Sequence, residues 1–336
     1  MRLRRAIERT VPDRDGLADA AAGLSAAYRS DGAATPLDTP DVVAAYAAAR
    51  MPATFAAAAR ALGSAAERAP GFEPRTHVDV GGGSGATAWA ARAAWRSIAA
   101  IVVLDRERAT LDLGRRLAAA SGDAVLAGAT WRAGSAGDPA EPADLVTAGY
   151  LLGEIDPAGV AAVVGALWAA TGGMLVLVEP GSRAGFGRII AARDQLLSAG
   201  ATVVAPCPGP EPCPVATGRP AWCHFLARLD RSPVHRRAKR ATRSWEDEPF
   251  SYVALARPGL VADPRPRVVL GRPRRHPGRV ELRICADGRI ERRIVSRRDG
   301  DAWRIARDLA WGDPVELAAG ADGPPDADGP PDAEGP

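Results

Sequence analysis

Three groups of residues in this sequence are of types and spacings that do chemistry. The first is Asp79-Val80-Gly81-Gly82-Gly83-Ser84-Gly85, an acid and three alternate glycines directly after an apolar run. Glycines so spaced let the backbone turn tightly and approach a ligand, and the helix that follows presents free amide groups to it. The second is Asp105, which closes the next apolar run, Ile101–Leu104, where a carboxylate is placed to accept ribose hydroxyls. The third is the full cysteine complement of the chain, Cys207, Cys213, Cys223 and Cys285. Four soft thiolates suit zinc or an iron–sulfur cluster, and the spacing alone leaves both open, along with unliganded core thiols.

The glycine loop also satisfies a relaxed dinucleotide pattern, Gly81-x-Gly83-x-x-Ala86, so a nicotinamide cofactor competes with S-adenosylmethionine. Asp79 heads the loop where an acid would face the cationic methionine end, and with Asp105 after the second strand this favours S-adenosylmethionine. Asp79, Gly81, Gly83, Gly85, Asp105 and Asp144, which opens a further apolar run, are the expected cofactor residues. Tyr150 to Glu154 follow that run at the expected mouth of the cleft, where Glu154 reads as either a substrate-side acid or a solvated one. No catalytic residue is assigned.

To bring Asp79 and Asp105 to one ligand, their runs must be neighbouring strands with helices between. The pattern agrees: His77–Val80, Ile101–Leu104, Asp144–Ala148 and Met174–Val178 read as strands separated by helical segments, a doubly wound α/β sheet. Residues 1–70, Ala-rich with apolar residues at helical spacing, read as a helical N-terminal domain, and 71–257 as the Rossmann-like domain. That domain carries a Pro- and Cys-rich insertion at 206–224. Residues 258–317 read as a small basic β-rich module, with a hairpin at Asp287-Gly288 between Val280–Ala286 and Ile290–Ser296. Cys285 brings the expected four-cysteine metal site into that module. Residues 318–336, repeating Asp-Gly-Pro-Pro-Asp-Ala, read as a disordered tail.

Charge is unevenly spread. The chain is formally +3, yet residues 228–307 hold 22 Arg or Lys against 10 Asp or Glu. Such a field suits a polyanion such as RNA. Arg236, Arg237, Lys239 and Arg240 on one expected helix, with Arg272, Arg274, Arg275, Arg297 and Arg298, are the expected phosphate contacts. Trp245, Phe250, Tyr252, Trp303 and Trp311 lie among them, as stacking faces or as core. No apolar run reaches the ~20 residues of a membrane span, and residues 1–9 carry early charges, so a cytoplasmic protein without membrane partners is expected.

Several of these motifs together resemble one family, the Rsm-twenty-two-like methyltransferase-like proteins of the mitochondrial small ribosomal subunit and their bacterial relatives. The resemblance is carried by the glycine loop and by Arg50-Met51-Pro52-Ala53-Thr54, Val178-Glu179-Pro180-Gly181, Pro206-Cys207-Pro208, Pro212-Cys213-Pro214 and Trp222-Cys223-His224-Phe225. Glu246-Asp247-Glu248-Pro249-Phe250-Ser251-Tyr252 and Ser296-Arg297-Arg298-Asp299-Gly300-Asp301 add to it. It implies a class I methyltransferase sheet, S-adenosylmethionine in the cleft, a [4Fe-4S] cluster on the four cysteines, and work on small-subunit ribosomal RNA and proteins during ribosome biogenesis, by a chain monomeric when free. Enzymes that methylate exocyclic base nitrogens place Asn/Asp-Pro-Pro-Tyr/Phe after the fourth strand; here that place reads Ala148-Gly149-Tyr150-Leu151. Three functions follow for testing: an assembly factor that binds S-adenosylmethionine, an active ribosomal RNA base methyltransferase, and a nicotinamide-dependent oxidoreductase with a zinc loop.

Overall fold

The computed structural model describes residues 2–11, 16–29, 39–138, 141–207, 209–216, 222–260 and 267–315, so the expected tail at 318–336 lies outside the described residues. Four helices come first: α1 (Arg2–Thr10), α2 (Leu17–Arg29), α3 (Pro40–Ala49) and α4 (Met51–Arg68). Thr39 starts α3 by accepting the Val42 N–H, with Pro40 in the first turn where its missing donor costs nothing. The chain bends by 46° between α3 and α4, at Arg50. No single helix among the described residues is long and apolar enough to cross a membrane. The apolar faces of α3 and α4 are instead buried in the protein's own core, where alanines such as Ala45, Ala48, Ala57 and Ala61 allow close packing.

The sheet is then laid down by β1 (Thr76–Val80), α5 (Ala86–Ala94), β2 (Ala100–Asp105), α6 (Arg108–Ala119), α7 (Ala124–Ala127), β3 (Thr130–Ala133), β4 (Ala143–Gly149), α8 (Val160–Ala169), β5 (Thr171–Pro180), α9 (Arg183–Ser198), β6 (Thr202–Ala205), β7 (Phe225–Asp230), α10 (Pro233–Ala238) and β8 (Trp245–Ala256). Its order is β3-β2-β1-β4-β5-β8-β6, with β7 on the outer half of β8. Strands β1 to β5 are parallel and β8 runs antiparallel to β5, β6 and β7. Alternation along β5 divides the core. Met174, Val176 and Val178 face the layer that holds Met51, Leu62 and Trp89, while Leu175 and Leu177 face Leu167, Trp168 and Ile189. The N-terminal helices thus share their core with one face of the sheet.

A second sheet follows from β9 (Arg267–Val269), β10 (Arg274–His276), β11 (Arg279–Ala286), β12 (Arg289–Ser296), α11 (Asp301–Ala306) and β13 (Pro314–Val315). Its order is β10-β11-β9-β13, with β12 also paired to β11. Asp287 and Gly288 both have positive φ, 43° and 73°, as a two-residue hairpin loop with the right twist requires. Val269, Val280, Leu282, Ile284 and Val295 form its separate core.

Candidate functional site

Strands β1 and β4 are neighbours from which the chain departs in opposite directions, so their carboxyl ends leave a crevice. A cleft lies there, lined by Gly81, Gly83, Asp105, Arg106, Glu107, Thr110, residues 134–136, Gly149–Leu151, Glu154 and Ile155, with Tyr46, Arg50 and Thr54 from the N-terminal helices. Gly81 adopts φ 66°, and a Cβ there would stand 2.6 Å from Leu151 Cδ1. Gly83 adopts φ 52° and donates its N–H to Asp105 Oδ2 at 2.8 Å. The other Asp105 oxygen accepts from Glu107 N–H, also at 2.8 Å. Burial is the main influence on this carboxyl and raises its pKa. Gly85 sits at the N-cap of α5 with φ 84°, against Trp131, outside the cleft lining.

Two expected ligand residues lie elsewhere. Asp79 is fully buried beneath the glycine loop, because alternation along β1 turns His77 and Asp79 toward α5. It accepts the Thr147 hydroxyl at 2.8 Å and the Ala88 N–H at 3.2 Å, while Thr147 Oγ1 lies 2.8 Å from His77 Nε2. Burial lifts Asp79 to about 7 and depresses His77 to about 3. It braces the loop from beneath and does not line the cleft, where a contact with the methionine end was expected. Asp144 opens β4 at the amino end of the parallel strands, opposite the carboxyl ends where the cleft lies. There its carboxylate accepts the N–H groups of Arg75 and Thr76 at 2.7 and 3.0 Å. It joins the amino ends of β1 and β4, and its assignment to the cofactor is likewise corrected.

The other side of the cleft is organised by Tyr150 and by residues of two further motifs, Glu179 and Glu248. Tyr150 adopts φ 60°, a strained setting for an aromatic residue, and donates its hydroxyl to Glu248 Oε1 at 3.2 Å. Burial raises this phenol well above its ordinary pKa, so it stays protonated. Glu179 of the Val178–Gly181 motif is buried, accepts the Leu152 N–H at 3.0 Å, and is held by Arg188 Nε at 2.7 Å. That pair fixes the turn carrying Glu154, whose carboxylate lies 3.5 Å from Arg106.

The four cysteines line one small cavity between the two sheets, together with Arg193 of α9 and residues of β8 and β9. Three come from the segment between β6 and β7, and only Cys285 comes from the C-terminal module. Among the described residues no three His, Cys, Asp or Glu side chains form a group that could hold a metal ion, so the expected four-cysteine metal site is not formed as such. The thiols themselves are masked by burial, which pushes Cys207 to about 11 and Cys285 to about 12. The surroundings nevertheless fit an anionic tetrathiolate group. Arg193 is 2% exposed, its Nε has no hydrogen-bond partner among the described residues, and its Nη1 pairs at 2.8 Å with Asp194, whose side chain is 60% exposed. Arg193 Nη2 also holds the Gly209 and Glu211 carbonyls at 3.1 and 2.7 Å, and Arg68 Nη1 holds that of Pro206 at 2.7 Å. With Nη1 paired to Asp194, the remaining face of this buried cation lines the cavity walled by the four thiols, where a tetrathiolate anion would meet it.

The nine expected phosphate contacts separate into different environments. Lys239 is locked on Glu246 at 2.8 Å, and Arg275 donates to the Arg307 and Leu309 carbonyls at 3.1 and 2.7 Å. Arg240 pairs with Asp19 at 2.6 Å and Arg272 lies 3.5 Å from Asp247, both on the surface. Arg236, Arg237, Arg274, Arg297 and Arg298 are exposed. Helix α10, which carries Arg236 and Arg237, packs against α2 and α3. Phe250 and Tyr252 are core residues, Trp245 lies under Arg228 at 4.0 Å, and Trp311 packs edge-on to His224.

A family model described as mitochondrial small ribosomal subunit Rsm22 matches residues 40–316. The human mitochondrial ribosome assembly protein METTL17 is 33% identical over 305 residues, covering 83% of this chain and 64% of its own length. The Rsm22-cox11 tandem protein 2 of Schizosaccharomyces pombe, also mitochondrial, is 30% identical over 191 residues, 44% of this chain and 25% of its own. The chain therefore spans less than two thirds of either relative. Among solved structures, the magnesium protoporphyrin IX methyltransferase of Synechocystis aligns at TM-score 0.41 and 10% identity, over 61% of this chain and 83% of that one. A precorrin-6y methyltransferase of Geobacter metallireducens aligns at 0.38 and 14%, over 58% and 85%. The relatives' mitochondrial location overturns the cytoplasmic expectation, since charges at residues 1–9 do not distinguish one aqueous compartment from another.

Proposed function

The chain belongs to the mitochondrial small ribosomal subunit Rsm22 family, and from that premise we propose that it is an S-adenosylmethionine-binding assembly factor of the small ribosomal subunit. The observation that carries the cofactor reading is the Asp105 carboxylate, which holds the glycine loop at the mouth of the β1/β4 crevice. The antiparallel β8 between β5 and β6 separates this sheet from the all-parallel order of nicotinamide dehydrogenases and argues against the oxidoreductase reading. Gly81, Gly83 and Asp105 would hold the nucleoside, in a cleft that residues 134–136 also line. The cofactor, when bound, would supply an activated methyl group. Tyr150 stands where base methyltransferases carry their acceptor motif, and residues 148–151 read Ala-Gly-Tyr-Leu in place of Asn/Asp-Pro-Pro-Tyr/Phe, with the phenol committed to Glu248. This favours a binding role over methyl transfer.

Cys207, Cys213, Cys223 and Cys285 would hold a [4Fe-4S] cluster, an electron-storing group here used to join the two sheets, with zinc the competing occupant. The exposed arginines of α10 and the second sheet would meet ribosomal RNA. Cells lacking the gene should accumulate incomplete small subunits, restored by the wild-type chain. Mass spectrometry of their ribosomal RNA should find every methylation intact; loss of one specific methyl group would establish the active methyltransferase instead.

A further inference from the structure

The second sheet has two unlike faces. Val280, Leu282, Ile284 and Val295 turn toward its core, which α11 covers. By alternation, the residues between them on β11 and β12 take the opposite face. The register sets these in rows across three strands: Arg274, Glu281 and Ile294 in one, His276, Arg279 and Ser296 in the next, and Arg283 directly opposite Arg292 on the other side. Near β9 this face is closed, where Cys285 and Val268 line the cysteine cavity. Away from β9 it is open: Arg274, His276, Arg279 and Arg292 are exposed, and Ile294 keeps 54% of its surface in solvent. Two features of the open face point to a ligand. Arg283 and Arg292 are like charges on facing positions, a destabilising cross-strand pair. Ile294 is apolar on the solvent side, with Arg279 and Arg283 on its diagonals and Arg292 two residues before it. Glu281 accepts from Arg292 Nε at 2.7 Å and is the one carboxylate that β10, β11 and β12 set on this face, against four guanidinium groups, so the face is net positive with that pair formed.

We propose that this face binds unpaired RNA, with Arg279, Arg283 and Arg292 toward backbone phosphates and Ile294 against an unstacked base. The assignment rests on the ribosomal RNA reading of the second sheet and narrows it to one face and one form of RNA. A phosphate brought between Arg283 and Arg292 relieves their repulsion, and guanidinium groups suit phosphate geometry. A duplex keeps its base faces inside the stack, whereas a single strand can splay them onto a protein surface, where Ile294 stands among the charges. The face carries no aromatic ring and no side-chain amide, so it holds the backbone and reads little of the base sequence.

Filter binding on the full chain tests this with oligouridylate and with a duplex RNA of the same length, each over a range of salt. Arg279→Ala combined with Arg292→Ala should flatten the slope of log affinity against log salt for oligouridylate by about 1.4, since each phosphate contact on a single strand contributes about 0.7. Ile294→Ser should weaken oligouridylate by about three- to tenfold, the scale of covering half an isoleucine side chain. It should leave the salt slope and the duplex affinity unchanged, and Ile294→Val should restore most of the loss. Melting temperatures close to wild type report that the variants are folded. Oligouridylate binding indifferent to these substitutions, or equal weakening of single strand and duplex by Ile294→Ser, overturns the assignment. Polyglutamate that binds more tightly than oligouridylate also overturns it, in favour of an acidic protein. Wild-type protein that binds neither RNA overturns the ribosomal RNA reading as well, a result distinct from indifference to the variants of this face.

Discussion

Asp105 accepts the backbone N–H of Gly83 at 2.8 Å, so the residue that ends β2 holds the glycine loop in its binding shape. Asp105→Ala would strand that N–H and the one at Glu107, costing about 1–3 kcal/mol of stability. It should also weaken S-adenosylhomocysteine by at least about tenfold, because the same carboxylate is the ribose acceptor. Gly83→Val should do the same through its forbidden φ of 52°. Calorimetry that returned wild-type affinity for both variants would falsify the site.

Asp79 should give the protein an unusual pH response. Its folded carboxyl titrates at about 7, against about 3.9 when unfolded. The folded chain therefore keeps a proton that the unfolded chain has released. This contribution to stability is complete below about pH 3.9 and is lost as pH rises through about 7. Asp79→Asn removes the titration while keeping an acceptor for Thr147. Measured by urea unfolding, wild type should lose stability relative to the variant between pH 4 and 8, by on the order of 4 kcal/mol. A flat difference across that range would mean that Asp79 is not the titrating group.

The cysteine cavity should load iron. Anaerobically purified protein should be brown with about four irons per chain, and Cys207→Ser or Cys285→Ser should lose them. Arg193→Met would leave the buried Gly209 carbonyl unpaired, at about 1–3 kcal/mol, and should release iron faster on chelator challenge. Stoichiometric zinc without iron in metal analysis would move the site to the zinc reading.

The basic residues should divide by environment. Joint replacement of Arg236, Arg272, Arg297 and Arg298 by Glu should weaken small-subunit RNA binding and flatten its salt dependence, since fewer counterions are released. Thermal stability should change little, because these side chains lie on the surface. Lys239→Ala and Arg275→Ala should instead lower the melting temperature, through loss of the Glu246 contact and of the Arg307 and Leu309 carbonyls. Normal RNA binding by the four-site variant in filter-binding assays would remove the docking role.

Strands β1, β2, β4 and β5 were legible in the sequence because strands covered on both faces read as continuous apolar runs. Half-exposed β3 has no such run, and Trp245 to Pro249 of β8 are too polar to suggest that the strand starts so early. The glycine loop and Asp105 were legible from order alone. Asp79 and Asp144 were not, because composition does not tell which face of a strand a carboxylate takes or which end of the sheet it marks. Arg193 reads as a surface residue of α9; only the cysteine segment, folding over it, makes it buried. Arg50 was visible as part of a motif, but its place in the cleft depends on a bend between two helices.

The insertion of β8 between β5 and β6 has a consequence for synthesis. Strands β5 and β6 follow one another in the chain yet pair with each other nowhere; both wait for a partner made some fifty residues after β6 begins. A nascent chain that has emerged as far as residue 230 therefore holds β5 as an open edge, with β6 and β7 unpaired, the state most prone to wrong pairing between chains. Arrival of residues 245–256 closes all three pairings at once. The last strand of the main sheet thus acts as a completion check, and truncations before residue 256 should emerge as aggregates rather than as smaller folded proteins.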